Sequence, residues 1–410
     1  MYLCTQLFLS FLVSIPVFST TDEQWVAPGL SVSTTQLIDY DDYGEVFREN
    51  SDDYVYPYVC FEDVDGSERW RATIVYSDRI VLFREGRGPV ITDYDFPFQS
   101  VFFSSRGKQV FLYQSTEPGQ STEQGGLRIN VETGEQMYFN SQWNGLPPGI
   151  HIANDNGSLI FSSNHDLHNS ELFFLDRDLA LISSIEVEGL GVASVSDDFF
   201  LAHKSNGLAR FSSSGEIEWE EGDARSQDMA ISPNGDFYLS PISFGTGSGL
   251  RLGSTSTGEA ILDYSLPYPY TVCDKPVFSA DGSSWMCTAR GFPGNRVSRQ
   301  DLLISGNTYT GSVTHAILPG GCSSYSLLRA SETFLLLRRR QSSDHSDSCR
   351  RYMLLSFEME PILVTKELKF SRIQLQRQTD LLLDVIDMNS EGSRLLYSDN
   401  NFLILTEIEG

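Results

Sequence analysis

The feature that most constrains this 410-residue chain is a short phrase that keeps returning along it. An apolar strand leads into a tight polar turn ending in Gly, and a second apolar strand follows. The phrase reads VFFSSRGKQVFLY at 101–113, IHIANDNGSLIFSS at 150–163 and MAISPNGDFYLS at 229–240. It returns as PVFSADGSSWMC at 276–287 and VIDMNSEGSRLLYS at 385–398. Asn or Asp followed by Gly supplies the positive-φ positions that a two-residue hairpin turn requires. Weaker copies surround Gly66, Asp198 and Glu332. The anchors Gly66, Gly107, Gly157, Asp198, Gly235, Gly282, Glu332 and Gly392 recur at the spacing of about 40–50 residues that a four-stranded blade occupies, with only the last step longer.

A second phrase lies between the anchors. LRINVETGEQMYF (127–139), ARFSSSGEIEWE (209–220) and RLGSTSTGEAILDY (251–264) each read as strand, Gly turn, strand, and ELFFLDRDLALISS (171–184) does so without the Gly. Two hairpins per repeat make four strands, and a run of equal four-stranded sheets is an all-β, closed β-propeller. The anchors number eight blades; one false anchor among the three weak ones leaves seven. The last repeat holds three strands, ending at 401–410, so its fourth is expected from the other end of the chain, at 34–42. Such sharing leaves no free edge at the joint.

At this point the chain resembles a known family. IHIANDNGSLIFSSNHDLHNSELFFLDRDL (150–179) is similar to the WD-type repeat of TolB-like periplasmic propellers, and MAISPNGDFYLS carries the family's Ser-Pro-Asp-Gly turn almost unchanged. The resemblance implies a protein-binding module, or a gating domain beside a peptidase. No Gly-x-Ser-x-Gly elbow stands in the chain, which disfavours the peptidase version.

The apolar stretch 7–15, closed by Pro16 and followed by Val17 and Ser19, reads as an export signal cut between Ser19 and Thr20. It is shorter than the roughly 20 apolar residues of a membrane span. Residues 1–19 are therefore a signal, 20–33 a lead-in and 34–410 a single propeller domain, with a secreted or periplasmic location and no integral membrane segment. The formal net charge of −26 disfavours nucleic acid and anionic membranes, which both need a positive field. A monomer is expected.

Mature cysteines are Cys60, Cys273, Cys287, Cys322 and Cys349; none forms a CxxC pair, so disulfides outrank metal. Counting outward from the turn at Ala280 and Asp281 places Cys273 nearly opposite Cys287. Cys322 and Cys349 both fall beside the Arg-flanked loop. Bridges 273–287 and 322–349 are expected, with Cys60 left as a thiol.

The turns SSRG, NDNG, SPNG, SADG, ETGE, SSGE and STGE alternate onto one rim of the disc. The other rim receives long connections at 114–126, 140–149, 164–170, 240–249, 264–275, 289–300 and 340–350. Binding in repeat folds gathers on the face that carries the insertions. Trp143, Tyr268, Tyr270 and Phe292 offer aromatic platforms there, beside His165, His168, Arg290 and Arg296, while Arg338 and Arg340 belong to the densest basic group in the chain. His165 and His168 have no third His nearby, so no metal is expected, nor any cofactor. Asp63, Asp65 and Glu68 in EDVDGSE are too few for a calcium loop and read as a turn. SADGSSW lacks the residue that a sialidase Asp-box has between Asp and Gly. These readings favour a non-catalytic module that binds a protein or a glycan through the long-loop rim. The alternative is a secreted hydrolase or lyase whose catalytic residues are dispersed over several blades, which no linear motif would reveal.

Overall fold

In the computed structural model of the chain, the described residues are 12–14, 24–26, 29–43, 56–98, 100–104, 106–113, 125–140, 149–153, 159–164, 170–187, 192–193, 199–204, 207–222, 229–244, 247–268, 270–291, 301–317, 324–330, 334–340, 352–356, 361–365, 386–398 and 402–409. They form strands almost throughout, and eight sheets follow one another along the chain. Sheet 1 spans 56–93, sheet 2 100–140, sheet 3 149–187, sheet 4 192–222, sheet 5 230–265, sheet 6 270–317, sheet 7 324–365 and sheet 8 386–409. Within each, consecutive strands are neighbours, which is the meander that two linked hairpins per repeat produce. The protein is all-β, with four-stranded sheets in a β-propeller arrangement; among the described residues six sheets have four strands, and sheets 6 and 7 have five.

The N-terminal segment supplies the additions. Leu12–Ser14 lies parallel on the outer strand of sheet 6, Val313–Ile317, and Gln24–Val26 lies antiparallel on the outer strand of sheet 7, Pro361–Thr365. Ser31–Asp39 is the fourth strand of sheet 8, paired antiparallel with Phe402–Glu409, with Thr34 opposite Thr406. The expected strand at 34–42 thus begins three residues earlier, and Tyr40–Asp42 turns instead into a short 3-10 helix that Asp39 caps.

The turns differ from expectation in type. Among the described residues only Asp65-Gly66 is a two-residue hairpin with both φ values positive, 55° and 76°, between Val64 and Ser67. The other anchor turns that can be described are four-residue loops in which Gly alone takes positive φ. In SADG, Ser279 N–H bonds the Ser284 carbonyl, Gly282 N–H bonds the Ser279 carbonyl, and Ser279 Oγ accepts from Ser284 N–H at 3.0 Å. Ser104 with Gln109 and Ser232 with Phe237 repeat the pattern, each at 2.9 Å, and Asn389 substitutes for Ser opposite Arg394. The phrase therefore encodes a side-chain-capped loop built round a type I turn. Asn and Asp serve it as hydrogen-bond partners: Ser232 Oγ bonds Asn234 at 2.7 Å, and Ser279 Oγ bonds Asp281 at 2.6 Å.

Neighbouring sheets bury both faces of their inner strands. Val75, Leu82, Val110 and Leu127 join sheets 1 and 2; Phe111 and Leu175 join 2 and 3; Phe174, Phe200 and Phe211 join 3 and 4. Leu201, Leu208 and Tyr238 join sheets 4 and 5, and Leu239, Leu252, Trp285 and Ile304 join 5 and 6. Strands of sheets 6, 7 and 8 touch in the same succession. Sheet 8 packs on sheet 1 through Leu396, Leu403, Val59, Ala72 and Ile74. In sheets 5 and 6 a large ring lies over a glycine directly across the ladder, Tyr238 over Gly253 and Trp285 over Gly306.

Cys273 and Cys287 form a disulfide with Cα atoms 5.9 Å apart, both buried in the core between sheets 5 and 6. The facing register is not the one counted from the turn. Cys273 stands opposite Ala289, because the four-residue loop 280–283 sets Phe278 opposite Trp285; a bulge at 274–277 then recovers one position, and the bridge runs diagonally. Cys60 is half-buried on the inner strand Tyr56–Val64, and Cys322 and Cys349 lie outside the described residues.

Candidate functional site

The two rims use their polar groups differently. On the short-turn rim, side chains from one sheet hold the turn of the next. Arg71, almost wholly buried, donates to the Arg106 carbonyl and faces Glu62 and Glu132 at 3.5 and 3.7 Å. Arg128 donates to the Arg177 carbonyl and Ser183 to Ser214, while within sheet 6 Thr308 donates to the Gly282 carbonyl. Arg210 reaches the Thr255 carbonyl at 2.8 Å while its guanidinium lies 4.0 Å over the Phe199 ring. Arg251 forks onto Asp263 at 2.7 and 2.8 Å and also pairs Glu221, which accepts from Tyr238 at 2.6 Å. Burial, then this hydrogen bond, pushes the Tyr238 hydroxyl well above its usual range. The bidentate pair fixes the Arg251 guanidinium within sheet 5, and its contact with Glu221 ties sheet 5 to sheet 4. This rim spends its polar groups on the fold.

At the opposite rim, where sheets 8, 1 and 2 meet, three tyrosines form a relay. Tyr94 donates to the carbonyl of Tyr76, Tyr76 to the carbonyl of Tyr40 at 3.1 Å, and the Tyr40 hydroxyl meets Ser398 Oγ at 2.6 Å. Burial raises both Tyr76 and Tyr94 far above the ordinary phenol, with Asp41 adding to the first and Asp78 to the second. The relay links the turn after Ser31–Asp39 to the two sheets that follow. Asp78 is held below the usual carboxylate range by its hydrogen bond to Arg79.

The junction of sheets 5 and 6 on this same rim carries the candidate site. Leu266 is buried, and its N–H bonds the Ser248 carbonyl; Tyr270 N–H then bonds the Pro267 carbonyl at 2.9 Å, closing a turn. Tyr268 stands at the tip of that turn, 92% exposed. A tyrosine so exposed yet mounted on a hydrogen-bonded turn between prolines loses little entropy on binding, which is how aromatic anchors act. Beside it Tyr270 is half-buried at the start of the strand Tyr270–Phe278, its hydroxyl raised by burial and then by Asp301. Asp301, a buried carboxylate, opens the strand Asp301–Asn307 directly across from Arg290. Sequence reading missed Asp301. Its only signal was an acid at the head of an apolar run just after a long connection.

Of the residues singled out from sequence, the structure brings Tyr268, Tyr270 and the backbone of Arg290 to this one junction. Arg338 and Arg340 lie in the strand Phe334–Arg340 of sheet 7, opposite Ser326 and Ser324, at the strand end that points to the long-loop rim. Trp143, His165, His168, Phe292 and Arg296 lie outside the described residues. Two expected long connections are short. Phe237–Phe244 and Gly247–Ser254 stay paired to Phe244 opposite Gly247, which leaves a two-residue link where a loop at 240–249 was expected. The loop expected at 264–275 reduces to 266–269, since Tyr270–Phe278 pairs from its first residue. Both segments continue their ladders because the β-branched Ile242 and Val272 favour the strand where the polar neighbours suggested a break, and the pairing runs through Pro241 opposite Leu250. Among the described residues no group of His, Cys, Asp and Glu converges as a metal site, and no helix is long and apolar enough to cross a membrane.

No protein-family model matches the chain, and no curated protein does. Solved structures similar to it include the Dos1 propeller, 10% identical, covering 88% of this chain and 93% of that one with a TM-score of 0.47. KlHsv2 with loop 6CD replaced by a Gly-Ser linker is 9% identical over 74% and 97%, at 0.45. Kuenenia stuttgartiensis hydrazine synthase is 11% identical over 88% and 98%, at 0.43. At these identities the likeness concerns the fold alone.

Proposed function

We propose that this chain is an exported, non-catalytic β-propeller of the TolB-like, WD-type kind that binds a protein or glycan partner through its long-loop rim. All eight sheets act as blades, and Ser31–Asp39 closes the ring; the packing of Leu396 and Leu403 against Val59 and Ile74 supports that closure. The observation that carries the binding role is Tyr268, an exposed aromatic on a rigid turn at the rim, next to Tyr270 and Asp301. The short-turn rim, by contrast, has committed its arginines to neighbouring sheets. Export rests on the apolar leader and is supported by the Cys273–Cys287 bridge, which fits an oxidising compartment.

The test uses the chain from Thr20 onward, captured on beads with partners from the secreted or periplasmic fraction, and a glycan array in parallel. Tyr268→Ala should lose the captured species while leaving the circular dichroism spectrum unchanged. Retention of every species by Tyr268→Ala would remove this site from the reading, and turnover by the purified chain that persists without a partner would favour the hydrolase or lyase.

A further inference from the structure

We infer that the outer edge of sheet 6, the strand Val313–Ile317, is a strand-addition site that the leader fills in the full chain and that leader removal opens to an extended, uncharged segment of a partner protein. The removal rests on the export reading above, whereas the edge rests on the pairing of the strands.

The structure seats a strand on this edge. Leu12–Ser14 runs parallel to it, with Leu12 opposite His315, Val13 opposite Ala316 and Ser14 opposite Ile317. On the inner side Asn307 N–H bonds the Ser312 carbonyl at 2.9 Å, and the ladder with Asp301–Asn307 continues from there without a register shift. Hydrogen-bonded pairs alternate along an antiparallel ladder, so Thr314 and Ala316 turn their backbone groups to Ser305 and Leu303. The backbone groups of Val313, His315 and Ile317 then face outward, towards the added strand. The five residues, VTHAI, include no proline, acid, lysine or arginine, the residues that blunt an exposed edge.

Two outer edges carry strands from the N-terminal segment, and a cut between Ser19 and Thr20 treats them differently. Gln24–Val26 stays on the mature chain and keeps Pro361–Thr365 covered. Leu12–Ser14 leaves, and the outward groups of Val313, His315 and Ile317 lose their strand partner. Such a row of main-chain groups is a template for another strand. The present occupant sets the chemistry of the next one. Residues 10–15, SFLVSI, are uncharged, so main-chain hydrogen bonds and not a charge pair hold the segment. The formal charge of −26 on each copy opposes a second chain in that place. This edge belongs to the outer strand of the sheet, whereas Tyr268 stands before its inner strand, Tyr270–Phe278.

The probe is a fluorescein-labelled peptide, Lys-Lys-Ser-Phe-Leu-Val-Ser-Ile-amide, which carries residues 10–15 behind two solubilising lysines. By anisotropy it should bind the chain from Thr20 onward saturably, and the full chain about tenfold or more weakly, because the leader already holds the edge in cis. Pro in place of the peptide Val removes a main-chain donor at constant charge and should weaken binding about tenfold or more. His315→Pro in the protein should do the same with an unchanged circular dichroism spectrum, since an edge strand tolerates Pro where its N–H points outward. Hydrogen exchange gives a second reading: Val313–Ile317 should exchange faster without the leader and slow again with the peptide, while Pro361–Thr365 is unaffected. The inference is overturned by equal binding to the two chains, by binding that survives both prolines, or by exchange at Val313–Ile317 that leader removal leaves unchanged. An exported chain that still carries residues 1–19 overturns the export reading and the opening step, while binding by the chain from Thr20 onward still decides for or against the edge.

Discussion

Replacing Gly306 by Ala adds one methyl group where the fold has no room for it. Gly306 stands across the ladder from Trp285, whose side chain is wholly buried, and a Cβ at 306 would lie 2.1 Å from Cζ2 and 2.2 Å from Cε2 of the indole. Carbon atoms pack at about 3.5–4.0 Å, so the ring or the strand must shift by more than an ångström inside a filled core. Overpacking of this kind costs about 1–3 kcal/mol, while Ala in place of Gly returns about 0.4–1 kcal/mol through the unfolded chain. The net expectation is a loss of about 1–2 kcal/mol. Gly88 is the internal control. It sits in the exposed outer strand of sheet 1 with nothing within 4 Å of an added Cβ, so Gly88→Ala should be neutral or stabilising by up to about 1 kcal/mol. Urea unfolding followed by far-UV circular dichroism reads both, with an unchanged slope and opposite shifts of the midpoint. Trp285→Leu should lower stability by itself and abolish the extra cost of Gly306→Ala, a coupling that a double-mutant cycle isolates. Equal midpoints for Gly306→Ala and the native protein would refute the ring-on-glycine packing.

Tyr238→Phe removes the hydroxyl that donates to Glu221 and should cost about 1–2 kcal/mol, read by the same urea titration. The buried hydroxyls of Tyr76, Tyr94 and Tyr238 have pKa values raised above 10.0 in the folded state, so they add stability below that pH and lose it as pH rises further and the unfolded chain ionises. Absorbance at 295 nm should therefore show a group of tyrosines that titrate only together with unfolding; early, reversible titration of all of them would contradict the burial. Thiol counting on unfolded, unreduced chain from Thr20 onward should find one thiol, with five ruling out both bridges. Loss of the Cys273–Cys287 bridge, which closes a short loop, should cost about 3 kcal/mol.

Much of the architecture is written locally. Strand, capped turn and strand fit within a dozen residues, so the recurring Ser-x-x-Gly phrase placed most hairpins, and the count of strands in the last repeat pointed to the N-terminal segment for the missing one. The resemblance to TolB-like repeats added an expectation about fold and binding that rests on two of those copies. Turn type was less legible, because Asp-Gly serves both a two-residue hairpin at Asp65 and a four-residue loop at Asp281, and the choice depends on whether a Ser two residues before the Asp can cap the backbone. The candidate site was half legible. Tyr268 and Tyr270 were found from composition and loop position, but Asp301 enters only when its strand is laid beside that of Arg290. The diagonal bridge, the tyrosine relay and the strands added to the outer edges belong to the tertiary structure alone. The loop at 280–283 and a bulge together set Cys273 against Ala289, and Tyr40 meets Ser398 across almost the whole chain. Local sequence specifies torsions and hydrogen bonds within a hairpin, whereas the angle at which one sheet packs on the next, and hence which distant side chains meet, is decided by the volume of residues such as Trp285 and Leu396 in the shared core.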